Sequence, residues 1–171
     1  LRLAEAGHRP VVLETRRKLG GRATSFVDPR SGETLDNCQH VTMGCCTNLL
    51  DLYRRLGVLD RIVWHPTTFW ANPPHEPDRM EAGWLPAPGQ FTGSFLRMRM
   101  LGLRDKATVA RAMLRLIRMG FAGRERWRGR VFGDFLRETG QTAVAIERFW
   151  EPVVVSACNL PSDRVDAPFA M

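Results

Sequence analysis

Apolar positions follow three rhythms along this chain. The first is an unbroken run, Val11-Val12-Leu13, closed by the carboxylate Glu14. A short run without polar alternation has the composition of a strand buried on both faces. Before it, LRLAEAG reads as the last turns of an amphipathic helix stopped at Gly7 in the C′ position. The second rhythm is strand-like and punctuated by turns. Residues 24–27 and 33–36 flank Asp28-Pro29-Arg30-Ser31-Gly32, which predicts a β-hairpin. Ile62-Val63-Trp64-His65 and Thr68-Phe69-Trp70 read as short strands broken by Pro66, Pro73 and Pro74, with another over 80–85 ahead of Pro86-Ala87-Pro88-Gly89.

The third rhythm is helical. Leu49, Leu50, Leu52, Tyr53 and Leu56 predict a core helix over 47–56, capped by Thr47 or Asn48 and ended by Gly57. Residues 95–130 read as helical and basic, with Ala107, Ala110, Met113, Leu114, Ile117 and Phe121 on the inward face and Arg111, Arg115 and Arg118 on the other. A short helix over 132–138 ends at Gly140. A longer apolar one over 141–157 contains Pro152, where a kink or break is expected.

Helix, glycine turn, buried strand and terminal acid are the order of the second half of a dinucleotide-binding βαβ unit, whose acid accepts hydrogen bonds from ribose hydroxyls. Glu14 is the candidate for that role. Six residues later come Gly20-Gly21-Arg22. Two residues without Cβ let a backbone approach a ligand closely, and a guanidinium pairs with phosphate. The chain as a whole is expected to be α/β: residues 1–58 a partial nucleotide-binding domain, and 59–171 part of a largely helical α+β substrate region with a few strands.

The stretch VVLETRRKLGGRATSF, followed by DNCQH from Asp36, resembles the FAD-binding region of the amine oxidase and phytoene desaturase flavoproteins. That group's pattern is a glutamate, a basic residue, Gly-Gly-Arg and then Asp-x-Gly-x-His. Here Cys38 stands where glycine is usual. Within the group, DNCQHVTMG and FWEPVVVSACNLP look most like the squalene-associated branch, the hydroxysqualene dehydroxylases of hopanoid biosynthesis. The resemblance implies a Rossmann-like FAD/NAD(P)-binding fold and FAD as cofactor, with Glu14 on the adenosine ribose. It puts Gly20, Gly21 and Arg22 against the pyrophosphate and ribityl chain, Arg16 at adenosine or phosphate, and Gln39 and His40 at the flavin edge. A satisfied, half-buried histidine is the other reading of His40, while Arg17 and Lys18 are read as solvated. The implied activity is oxidoreduction of a squalene-type lipid, with another desaturase or amine oxidase as the alternative. Glu147 and Glu151 are the acids of the 141–157 helix; neither is assigned a catalytic role.

The glycine-rich turn of such a unit sits roughly 20 residues before the ribose acid. Glu14 is the fourteenth residue and Leu1 falls inside a helix, so the sequence reads as a piece of a longer protein, cut at both ends. A hydrophobic content of 44% with 25% charged residues is that of a globular chain. No run approaches the ~20 apolar residues of a membrane span, and the start lacks the layout of a signal peptide. Cys38, Cys45, Cys46 and Cys158 form no C-x-x-C pair, which points to a reducing, cytoplasmic setting. With His40 their spacing fits none of the usual zinc modules, so no metal is expected.

The net charge of +7 favours anionic partners. The basic helical stretch 95–130 has three readings: a solvated surface helix, a helix lying on the inner face of the cell membrane, or, through RERWRGR at 124–130, an RNA contact. No RNP-type or helix-turn-helix pattern accompanies the last, so nucleic acid is not an expected partner. Trp64, Phe69, Trp70 and Trp84 suit either an isoprenoid pocket or an ordinary core.

Overall fold

The computed structural model describes residues 1–21, 23–37 and 41–171. They form two compact units, Leu1–Val63 and Trp64–Met171.

In the first unit, α1 (Arg2–Glu5) ends as the sequence predicts. Gly7 takes φ +85°, and the amides of Gly7 and His8 return to the Ala4 and Leu3 carbonyls, both at 3.0 Å. This is the paired closure of a Schellman motif. The expected strand after it does not form: residues 8–14 have no regular structure, and Val11, Val12 and Leu13 are 83%, 85% and 91% exposed. A doubly buried strand needs ladder partners on both edges, and among the described residues no strand runs beside this one.

The hairpin does form. β1 (Ser25–Val27) pairs antiparallel with β2 (Thr34–Asp36) in the register Ser25↔Asp36, Phe26↔Leu35, Val27↔Thr34. Its turn is built on Asp28, whose carboxylate accepts from the Arg30 amide at 3.1 Å and the Ser31 hydroxyl at 3.0 Å. The Arg30 amide and then the Ser31 hydroxyl hold that carboxyl below its usual range. α2 (Thr47–Arg55) ends at Gly57 in a second Schellman closure, with Val58 donating to the Tyr53 carbonyl at 3.0 Å. Two expectations for α2 fail. Its N-cap is Cys46, with no side chain capping the first turn, and none of its residues is buried. Charge links it to α1 instead: Asp51 lies 2.8 Å from Arg55 and 3.6 Å from Arg2, and Arg55 also meets Glu5.

The second unit opens with β3 (Thr67–Asn72) and β4 (His75–Glu81), antiparallel, with Trp70 opposite Asp78 and an irregularity between Trp70 and Asn72. Residues 62–65 are not a strand, and β4 lies at 75–81 rather than 80–85. The inward residue of β4 is the carboxylate Asp78, so the apolar-polar alternation that would mark this strand is missing from HEPDRME.

Beyond it run α3 (Thr92–Arg97), α4 (Leu103–Arg124) and α5 (Phe132–Glu138), then α6 (Ala143–Ala145), a π-helical turn over Ile146–Trp150, α7 (Glu151–Cys158) and α8 (Ala167–Ala170). The break expected at Pro152 takes the form of that widened turn. It leaves the proline in the first turn of α7, where a missing N–H costs least. Val109, Ala112, Trp127, Phe132, Phe135, Leu136, Trp150 and Val154 make the main core, with Phe132 and Phe135 rings 5.6 Å apart. A satellite of Met98, Met100 and Leu101 packs against Trp70, Met80 and Phe149.

α4 is rotated relative to the sequence expectation. Thr108, Val109 and Ala112 face inward, while Met113, Leu114, Ile117 and Phe121 are exposed. Arg111 and Arg115 fold back over the protein. The Nε of Arg111 donates to the Thr139 carbonyl at 3.0 Å, and the Arg115 guanidinium lies 5.6 Å from the Phe135 ring. Both sides of this helix are apolar enough to be buried, and Val109 and Ala112 are the residues that join the core with Phe132, Phe135 and Trp150.

Candidate functional site

The candidate nucleotide-binding residues lie on the loop that joins α1 to the hairpin. Glu14 uses one carboxylate oxygen, Oε1, to accept the Arg16 amide at 2.9 Å and the Thr15 hydroxyl at 3.5 Å. Its Oε2 has no partner among the described residues and is exposed, so it remains available to a ligand hydroxyl. Arg16 is also exposed, with no carboxylate beside its guanidinium among the described residues.

Four residues on, the chain reverses at Gly20 (φ +113°) and Gly21 (φ +59°), closed by the Ala23 amide donating to the Gly20 carbonyl at 3.1 Å. A Cβ on Gly20 would fall 2.9 Å from the Ala23 carbonyl oxygen, so the turn itself excludes a side chain. A Cβ on Gly21 would meet nothing within 4 Å. At Gly21 the backbone is therefore open, the kind of surface a diphosphate can approach.

Lys18, exposed as expected, also donates from Nζ to the Ser25 carbonyl and so ties this turn to the hairpin. The hairpin end is fixed in turn by Ser25 Oγ donating to Asp36 Oδ1 at 2.5 Å and by the Asn37 amide donating to the Thr24 carbonyl at 2.9 Å. Within about a dozen residues the chain thus presents a carboxylate oxygen with no partner among the described residues, a guanidinium and two consecutive glycines in a turn. These donors and acceptors fit a dinucleotide such as FAD. Arg22, Gln39 and His40, like Cys38, lie outside the described residues.

In the second unit, Glu151 is already engaged: it accepts from the Ser162 amide at 3.2 Å and from the Ser162 hydroxyl. Glu147 is exposed. Of the four aromatics singled out, Trp70 stacks on Phe149 at 5.6 Å, whereas Trp64, Phe69 and Trp84 are exposed. Sequence reasoning missed Asp78. Its buried carboxylate accepts the Arg99 amide at 2.9 Å and the Met100 amide at 2.9 Å, and it borders an open cavity of about 470 Å³ shared with Phe69, Glu76, Arg79, Arg97 and Arg99. Nothing local announces it, because its partners lie 21 and 22 residues away in the chain.

A family model of flavin-containing amine oxidoreductases matches residues 1–149. Among similar proteins, the 15-cis-phytoene desaturase of Narcissus pseudonarcissus is 32% identical over 143 residues, covering 81% of this chain and 25% of that protein. The zeta-carotene desaturase of Capsicum annuum is 29% identical over 175 residues, covering 96% and 30% respectively. The 15-cis-phytoene desaturase of Synechococcus elongatus is 34% identical over 89 residues, covering 50% and 19%. The chain therefore spans between 19% and 30% of the length of these relatives.

Proposed function

The chain belongs to the family of flavin-containing amine oxidoreductases, and on that premise we propose that it is part of an FAD-dependent oxidoreductase acting on an isoprenoid lipid. The observation that carries the proposal is the 14–25 loop. An exposed glutamate, one of whose oxygens has no partner among the described residues, is followed by a turn whose Gly21 presents open backbone. In this reading Glu14 Oε2 accepts from the adenosine ribose. The amides of the Gly20-Gly21 turn, with Arg16 and Arg22, neutralise the diphosphate, and Gln39 and His40 lie toward the flavin. When bound, the flavin supplies two-electron chemistry, while the protein binds, orients and desolvates the substrate.

The finer reading is reductive dehydroxylation of hydroxysqualene. In that reaction an allylic C–O bond would be exchanged for a C–H bond, the bound reduced flavin would supply the hydride, and the hydroxyl would leave as water after taking up a proton. The segments DNCQHVTMG and FWEPVVVSACNLP support it by their resemblance to the squalene-associated branch. Glu151 is not assigned as the proton donor, because its carboxylate is committed to Ser162. Desaturation of a carotenoid precursor is the second reading, favoured by the names of the phytoene and zeta-carotene desaturases to which the chain is similar.

The deciding experiment uses protein expressed from its complete reading frame. It is given hydroxysqualene with a flavin reductant, or phytoene or zeta-carotene with an electron acceptor, and the products are identified by mass spectrometry. Squalene from the first mixture alone supports dehydroxylation. Dehydrogenated product from the second assigns desaturation, and no product from any of them overturns the isoprenoid assignment.

A further inference from the structure

We propose that the cavity between the β3–β4 hairpin and the end of α3 binds a phosphate group. This open cavity of about 470 Å³ lies within the second unit, and three arginines stand on its wall: Arg79, Arg97 and Arg99. Each is held there by a different device. Arg79 pairs with Phe69 across the hairpin, and its guanidinium lies 5.8 Å from that ring. Arg97 donates from Nη2 to Ser94 Oγ at 3.4 Å. Ser94 is itself buried and bonded to the Glu81 amide at 3.0 Å and the Glu81 carbonyl at 2.8 Å, so it anchors that guanidinium to β4. Arg99 is clamped at three points: its amide and its Nε on Asp78, and its Nη2 on the Glu76 carbonyl at 3.1 Å.

Charge defines the ligand. Like charges held around one cavity repel, and an anion among them relieves that repulsion. Two acids share the wall. Asp78 is 4% exposed and is committed to the amides of Arg99 and Met100. Glu76 is exposed and makes no ion pair with any of the three arginines among the described residues. Neither acid therefore neutralises Arg79 or Arg97. Guanidiniums fixed at separate points need an acceptor with oxygens in several directions, which a phosphate group has and a planar carboxylate lacks. Phe69, 60% exposed beside Arg79, adds a flat apolar surface for the remainder of a phosphorylated ligand. The volume falls in the range of about 300–1,000 Å³ usual for small-molecule sites.

The inference does not rest on the flavin reading, and either can fail without the other. The test is isothermal titration calorimetry with sodium pyrophosphate, using the protein from its complete reading frame. Binding is expected, weakened about tenfold or more in the double variant Arg79→Gln, Arg97→Gln. Glu76→Gln removes the acid that has no arginine partner and should tighten binding about twofold; this exposed substitution serves if the arginine pair does not fold. Gly21→Val, which fills the open side of the candidate dinucleotide turn, should leave pyrophosphate binding unchanged. Adenosine diphosphate titrated into Gly21→Val protein then identifies the source. Tighter binding than pyrophosphate, lost in Phe69→Ala, assigns a nucleotide; equal or weaker binding assigns a free phosphate or diphosphate. No binding at millimolar pyrophosphate overturns the proposal and gives the arginines to acids elsewhere in the complete chain. So does binding that the arginine pair and Glu76→Gln leave unchanged, or that Gly21→Val abolishes.

Discussion

Replacing Asp78 with alanine isolates the tie between β4 and the loop after α3. The carboxylate is 4% exposed and accepts the amides of Arg99 and Met100, with the Arg99 guanidinium at 3.5 Å. Burial pushes this carboxyl up, but the two amide hydrogen bonds and the arginine together outweigh it, and the net shift is downward. Alanine leaves the buried Met100 amide and the part-buried Arg99 amide without their acceptor, at about 1–3 kcal/mol for a buried group and less for the other, so a loss of about 2–4 kcal/mol is expected. For a domain of this size that is a fall in melting temperature of roughly 5–20 °C.

Urea unfolding followed by tryptophan fluorescence measures the loss, since Trp70 sits on the same sheet opposite Asp78. The pH dependence supplies an internal check. A carboxyl whose folded pKa is depressed stabilises the fold above its unfolded pKa of about 3.9, and that stabilisation disappears as pH falls through the lower folded value. The gap between wild type and Asp78→Ala should therefore be constant from neutral pH down to about 5 and close below about 4. A gap under about 0.5 kcal/mol at neutral pH, or one that widens in acid, would refute the reasoning.

Two further substitutions test the packing and the helix ends. Gly140→Ala should be costlier than Gly57→Ala: both residues have positive φ, which costs an L side chain about 1–2 kcal/mol, but at Gly140 the new Cβ also lies 2.8 Å from Arg111, whereas at Gly57 it meets nothing within 4 Å. Equal unfolding midpoints for the two would contradict this. Phe132→Ala empties a fully buried position between Phe135 and Trp150; a loss of about 3–5 kcal/mol is expected in the same denaturation assay, and less than about 1 would place Phe132 outside the core.

What the sequence made legible was the chemistry that acts over a few residues. Gly7, Gly57 and Gly140 mark helix ends because each closure involves only the preceding turn, and the hairpin at 24–36 follows from an Asp-Pro-Arg-Ser-Gly turn that satisfies its own polar groups. Apart from the α2 cap, where Cys46 rather than Thr47 or Asn48 stands at the helix start, the main failures are at longer range. Val11-Val12-Leu13 has the composition of an inner strand but no described neighbour to pair with. α4 has two apolar sides, and a core assembled from residues as distant as Phe132, Phe135 and Trp150 decides which is buried. β4 hides behind Asp78, an inward carboxylate made tolerable by amides from another segment. At the candidate site the sequence supplied the residue types, Glu14 and Gly20-Gly21. The structure added the Glu14 oxygen that has no partner among the described residues, the open side of Gly21 and the Lys18 contact that ties the turn to the hairpin.

The central claim, that this loop holds a flavin dinucleotide, is tested most directly by the flavin absorbance retained by the protein from its complete reading frame after gel filtration. Wild type should carry bound FAD. Glu14→Ala should weaken its retention, and Gly21→Val, which fills the open side of the turn, should abolish it without changing the melting temperature of the second unit. A wild-type protein that emerges colourless and gains no flavin on titration, or two variants that retain FAD as well as wild type does, would contradict the account.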